Sequence, residues 1–209
     1  MKSYKGKLTG QQIDALPEAV TGLEERVVNI EDCVGLGGNR MDIIALSDTD
    51  IAVDGENVHV PAKKRTVLTP EGSVILYGKD IYYLRIYKYK GEQQDFFRMF
   101  YKCSSLLSIE VWNMDTSNAT NMGSMFYGCT SLKDLKLGNG FFRCKASSID
   151  FSRLQYWTGE TMRESLVDNS YDRAANGLST LTLMLHANTK AKLTDDDKAA
   201  LTAKGYIIS

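Results

Sequence analysis

Two histidines, four cysteines and a run of three aspartates are the side chains here that could do catalysis or bind a metal. Their spacing decides what they can do. His59 and His186 fall in separate predicted strands, with no carboxylate or nucleophile at a motif spacing, so each reads as a surface or hydrogen-bonded histidine. Cys33, Cys103, Cys129 and Cys144 include no Cys-x-x-Cys pair and cannot supply the ligand pairs of tetrahedral zinc. They are also too sparse for a disulfide scaffold. Cys103 and Cys129 read instead as buried thiols behaving as small hydrophobes. Asp195, Asp196 and Asp197 lack the alternating ligands and distal glutamate of a calcium loop, and their charge suits the positive end of a helix. The glycines of "VGLGGNR", residues 34–40, lack the lysine and hydroxyl residue of a phosphate loop and act as a hinge. The expectation is a chain that is not an enzyme and uses no cofactor and no metal.

One stretch has the composition of a recognition surface. "LYGKDIYYLRIYKYKG" concentrates tyrosines, lysines and an arginine. In an extended strand Tyr83, Arg85, Tyr87 and Tyr89 share one face, and Tyr82, Leu84, Ile86 and Lys88 share the other. With Leu84 and Ile86 inward, the Tyr/Arg face is outward. Tyrosine and arginine are enriched at binding hot spots, and flat rings suit sugars. Two further readings stand beside this one: the tyrosines simply cover the sheet of a larger array, or the basic and aromatic mixture grips single-stranded nucleic acid. A formal net charge of −1 disfavours the last, and no nucleic-acid partner is expected.

The elements that must position these residues follow from composition and periodicity. A chain of 209 residues, 43% hydrophobic and 24% charged, is ordinary globular material for one or two folded units. No apolar run approaches a membrane span, so no membrane insertion is expected. The opening has lysines without an apolar run behind them and does not read as a secretory signal. Ile13, Leu16, Val20, Leu23, Val27 and Ile30 are spaced alternately by three and four, which places them on one seam of a helix. Pro17 fits the first turn of that helix better than its interior. The stripe either packs on its own domain or makes an oligomerising coil, with a homotrimer favoured by its near-3.5 period. From residue 41 the pattern is β-branched, and "DGEN" between Val53 and Val58 is a hairpin turn.

The sharpest signal is a repeat. "MFYKCSSLLSIEVWN" from Met99 and "MFYGCTSLKDLKLGN" from Met125 align at an offset of 26 residues. Leu132, Leu135 and Leu137 give the spacing of a leucine-rich solenoid, whose Met, Phe, Cys and Leu side chains stack inward. A looser copy puts Leu84 and Ile86 where Ile109 and Val111 sit, one residue shorter. The segment resembles the BspA-like leucine-rich repeat, a 26-residue surface-protein repeat whose hallmark runs Asp-Thr-Ser-Asn-Val-Thr-Asn-Met and then Met-Phe-x-Gly-Cys-x-Ser-Leu. Here the hallmark stands as Asp115 to Met122, with Ala119 for valine, followed by Met125 to Leu132. The resemblance implies an adhesin or protein-interaction module at a bacterial cell surface.

The tail reads as strand, helix, strand: Leu181, Leu183 and Leu185 alternate, Thr194 caps a helix, and Gly205 ends it. This tail and the opening "KLTGQQIDALPEAV" are similar to modules of fibre-like proteins from gut Bacteroidales and their phages. The expected fold is therefore α+β, a short leucine-rich-repeat solenoid with an N-terminal helix (1–40), a small β-unit (41–90), repeats (91–158) and a C-terminal α/β cap (159–209). The expected function is structural and binding, as a phage fibre or decoration subunit located on the virion. Its partners would be itself or another virion protein, and a host surface glycan or protein. The alternative is a bacterial cell-surface adhesin.

Overall fold

The β-branched run that begins at Arg40 builds one side of the largest sheet. The computed structural model describes residues 39–71, 74–76, 80–89 and 96–209, all within the unit Gly37–Ser209. The heptad residues Ile13, Leu16, Val20, Leu23, Val27 and Ile30, together with Cys33, lie outside the described residues. The strands are β1 (Arg40–Ala45), β2 (Thr49–Val53), β3 (Glu56–Val60), β4 (Arg65–Leu68), β5 (Val74–Ile75), β6 (Ile81–Lys88), β7 (Ser108–Val111), β8 (Asp134–Leu137), β9 (Ser148–Phe151), β10 (Leu181–Leu185) and β11 (Tyr206–Ile208). The helices are short: α1 (Glu160–Arg163), which runs into a π-helical turn, α2 (Ala187–Lys190) and α3 (Asp195–Ala203).

The α+β solenoid expected from the repeat is not what these residues form. They make a mostly β fold with few short helices: a mixed five-stranded sheet ordered β4-β1-β6-β7-β8 and two three-stranded sheets, β11-β10-β9 and β3-β2-β5. No solenoid is detected among them. The reason lies in the neighbours of the repeat strands. β6, β7 and β8 do pair in parallel, with Leu84 opposite Ile109 and Ile109 opposite Leu135. On the other side of β6, however, β1 pairs antiparallel, and β4 pairs antiparallel to β1. The segment read as a small β-unit or the cap of a larger array is hydrogen-bonded into the same sheet as the repeats.

Local sequence explains the elements. The β2–β3 hairpin closes on Asp54 and Gly55, both at positive φ (52° and 88°), the combination a two-residue hairpin turn of this hand requires. One face of the large sheet buries Met41, Ile43, Leu84, Ile86, Ile109, Val111, Leu135 and Leu137. The repeat turns add their own apolar layer. Leu106 and Leu132 are buried, Phe100 stacks on Phe126 at 5.4 Å, and Phe126 stacks on Phe151 at 5.4 Å. The turn backbones also pair from one repeat to the next: the amides of Phe96, Arg98, Phe100 and Lys102 donate to the carbonyls of Asn121, Gly123, Met125 and Tyr127.

The C-terminal sheet is parallel throughout. Thr194 accepts from the Asp197 amide at 3.1 Å while its own amide donates to the Asp197 carboxylate at 3.0 Å, a reciprocal cap at the start of α3. Arg173 is buried and donates to the backbone carbonyls of Phe142, Cys144 and Ser179 at 2.7–2.9 Å. It ties the loop before β10 to the turn that precedes β9.

Candidate functional site

The residues with catalytic or ligating chemistry are dispersed by the fold. His59 faces Asp50 across the β2–β3 hairpin, its Nδ1 3.0 Å from the carboxylate, and both side chains are exposed. His186 is elsewhere, with Nδ1 accepting from the Asn188 amide at the start of α2. Cys103, Cys129 and Cys144 are buried. The Cys103 thiol donates to the Leu76 carbonyl at 2.8 Å, and Cys129, one repeat on, donates to Phe100 at 3.0 Å. Burial pushes the thiols of Cys129 and Cys144 upward, which favours the neutral form. Among the described residues, no three His, Cys, Asp or Glu side chains converge on a position that could hold a metal.

The Tyr/Arg face of β6 is partly assembled. Tyr83, Arg85 and Tyr87 do share one face of the five-stranded sheet, half-buried rather than fully exposed. Strand register sets them in a row of alternating charge, Asp42–Arg85–Glu110–Lys136, which Glu164 extends from beyond the sheet by pairing with Lys136 at 2.9 Å. Arg85 grips Glu110 with two hydrogen bonds, Nε to Oε2 at 2.9 Å and Nη2 to Oε1 at 3.1 Å. The Trp112 indole also donates to Glu110, at 3.1 Å. Arg40 and Arg85 lie over the Tyr87 ring, 5.0 and 5.7 Å from its centroid. Asp42 is buried and paired with Arg65 and Arg40. Burial pushes the Tyr83 hydroxyl up and Glu110 adds to the shift; Arg85 is pulled down by burial, but Glu110 outweighs this and leaves it raised. The charges of this face are largely satisfied within it.

Tyr89 does not join this face. β6 ends at Lys88; Tyr89 keeps a parallel bridge to Met114 and packs edge-on against Phe96, with no solvent exposure. Burial, with a further contribution from Asp54, pushes its hydroxyl up to about 12. The period-two pattern fails at the end of β6, where regular strand pairing gives way to a single bridge.

A second aromatic surface, not singled out by the sequence reading, lies on the repeat turns. Tyr101 and Tyr127, equivalent positions of the two repeats, stack at 5.2 Å with their planes 15° apart. Arg98 lies over Tyr101 at 4.8 Å and over Phe97 at 4.6 Å, Lys102 over Tyr101 at 5.5 Å, and Arg153 over Tyr127 at 5.3 Å. The turn that carries Arg153 also carries Tyr156, with Lys133 at 5.9 Å from its ring. Phe97, Tyr127 and Tyr156 are 44%, 40% and 52% exposed, among the most exposed large apolar side chains of the described residues. Beside Tyr156 is an open groove of about 420 Å³ lined by Lys133, Gln155, Thr158, Asn188 and Lys192. Arg98, Lys102, Lys133 and Arg153 form no ion pair with a described residue. The signal was present in the repeat itself: in "MFY" the phenylalanine is the inward residue, so its tyrosine neighbour is the one left outside.

No protein-family model, no curated protein and no solved structure matches this chain.

Proposed function

We propose that this chain is a non-enzymatic structural and binding protein, a fibre or decoration subunit of a phage particle that contacts a host surface. The observation that carries this reading is the aromatic column on the repeat turns, with Tyr127 exposed and Tyr101 half-buried. Phe100 and Phe126 already fill the interior beneath it, so packing does not account for Tyr101 and Tyr127 lying stacked outside with cations over their rings. Aromatic and arginine side chains gathered at a surface are the composition of a contact site. The similarity of the opening and tail to fibre-like modules supports the virion setting. Within this proposal, the Ile13 to Ile30 stripe makes a homotrimer or anchors the chain to another virion protein.

A second reading, a bacterial cell-surface adhesin, is favoured by the BspA-like hallmark at Asp115 to Leu132. Two measurements test the pair. Antibody raised against the purified chain should label phage particles in electron micrographs, and the labelled protein should bind intact host cells until surface polysaccharide and protein are stripped. Label on bacterial envelopes instead of particles replaces the virion reading by the adhesin. A chain that binds no host surface, in either setting, overturns the binding function.

A further inference from the structure

We infer that the ligand site is the turn surface from Phe97 to Tyr156, and that its ligand is an acidic polysaccharide, one bearing carboxylate or sulfate groups along an extended chain. The inference rests on the surface-binding reading above and names the site and the class of ligand.

Charge separates the two aromatic surfaces of this protein. On the sheet face, Arg85 is spent on Glu110, Arg65 on Asp42 and Lys136 on Glu164. On the turn surface, Arg98, Lys102, Lys133, Arg153 and Lys192 are all exposed, and none is ion-paired to a described residue. Five exposed cations gathered along these turns, none of them ion-paired to a described residue, set up a local field for an anion.

The geometry selects the anion. The turn of Arg98 and Lys102 hydrogen-bonds to the turn of Tyr127, and Arg153 lies over the Tyr127 ring from the next turn, so the cations follow one another as a row. A row fits a polymer with repeated charge better than a single small ion. The ring faces are already used: Tyr101 and Tyr127 face each other, and cations lie over both rings. Nucleic-acid bases bind such proteins by stacking on free ring faces, and those are what this column lacks. It offers guanidinium and ammonium donors, which match carboxylate and sulfate oxygens. At the Tyr156 end, the groove adds the amide groups of Gln155 and Asn188 and the hydroxyl of Thr158, the neutral partners that sugar hydroxyls use.

Backbone conformation gives the same assignment from a separate direction. Arg98 and Lys102 are both held at positive φ, 60° and 58°. The equivalent positions of the next repeat carry Ser124 and Gly128, also at positive φ (53° and 83°). The turn therefore demands left-handed backbone at these two places, where glycine is the relaxed choice and a long side chain is strained. Two cations stand there in spite of the strain, both over Tyr101.

The test uses the full chain in calorimetric titration against polygalacturonate, heparin, neutral dextran and poly-dT. The expected result is binding to one or both acidic polysaccharides, weakening as salt rises, with no binding to dextran. The double substitution Arg98→Gln, Arg153→Gln should lower that affinity by about tenfold or more while leaving the melting temperature and near-ultraviolet circular dichroism unchanged. Arg85→Gln on the sheet face should leave it unaltered. A double variant that is folded and binds as tightly as the parent overturns the site. Tighter binding of poly-dT than of either polysaccharide makes the surface a nucleic-acid site instead. If the parent binds intact host cells but neither acidic polymer, the surface-binding reading survives and the ligand class falls. If it binds neither cells nor polymers, both fall together.

Discussion

Lys102 and Gly128 occupy the same place in consecutive repeats, and the structure requires substitutions there to act in opposite directions. Gly128 has φ of 83°, and a Cβ added to it would sit 3.1 Å from the Lys102 Cα and 3.3 Å from the Lys102 amide nitrogen. Those are backbone atoms of a neighbouring turn and cannot swing aside. Gly128→Ala thus meets a left-handed backbone penalty of roughly 1–2 kcal/mol and a steric clash of similar size, about 2–4 kcal/mol of destabilisation in all. Lys102→Gly removes the same backbone penalty and adds only the roughly 0.5–1 kcal/mol entropic cost of a glycine, so stability should hold or rise by up to about 1 kcal/mol. Urea unfolding of the full chain reads this directly through tryptophan fluorescence, since Trp157 is fully buried. The midpoint should move down for Gly128→Ala and stay or move up for Lys102→Gly, at unchanged slope. The Lys102→Gly variant should at the same time bind acidic polysaccharide more weakly. A loss of more than about 1 kcal/mol in Lys102→Gly would show that Lys102 supports Tyr101 structurally and that left-handed strain is not what its side chain opposes.

Two further outcomes follow from buried charge. Arg173→Ala strands the carbonyls of Phe142, Cys144 and Ser179, each an unmet acceptor worth about 1–3 kcal/mol, so the melting temperature should fall by about 10 °C; a shift of only a degree or two would mean that solvent takes over those carbonyls. Asp197 accepts from Arg163 at 2.6 Å and from the Thr194 amide, and these bonds hold its carboxyl at about 2, below the reference 3.8. A lowered folded value means stability that is present above the reference and lost as pH falls towards about 2. Stability should therefore decline through that window in the parent and decline less in Asp197→Asn, with Arg163 too exposed for the effect to be large.

Much of the secondary structure was legible because it rests on local chemistry. Asp54 and Gly55 announce their turn, the Leu181–Leu185 alternation its strand, and Thr194 its cap. The 26-residue offset also carries the strand register: Ile109 stands opposite Leu135, and Leu84 opposite Ile109 at one residue fewer. The solenoid inference failed at a step that periodicity does not reach. A repeat says that its units stack on one another but not how the strands beside them run; the β-branched strands after residue 41 admit a small β-unit or the cap of a larger array, and β1 and β4 join the repeat strands antiparallel. Arg173 was invisible for a related reason. Its partners are backbone carbonyls from 31, 29 and 6 residues away, and no side-chain pattern in the sequence records a carbonyl.

The two tyrosine surfaces show how composition and placement come apart. The β6 segment is dense in tyrosine and basic residues, and parity assigns Tyr89 to the outer face. Density in one strand, though, brings the same side chains within reach of the neighbouring strands, where register supplied Glu110 and Asp42 as partners. A flat sheet face lets opposite charges meet across every strand, and natural strands use such pairs to stabilise the sheet. The turns offer no facing strand. A cation placed there finds a ring of its own turn, as Arg98 does with Tyr101, or of the neighbouring turn, as Arg153 does with Tyr127, and no carboxylate of a described residue. Free charge for a ligand therefore belongs on the turn surface, where the sequence is less conspicuous, and the network around Arg85 belongs to the stability of the sheet. Arg85→Ala and Arg98→Ala separate the two roles: the first should cost stability through an unpaired Glu110, and the second should cost binding.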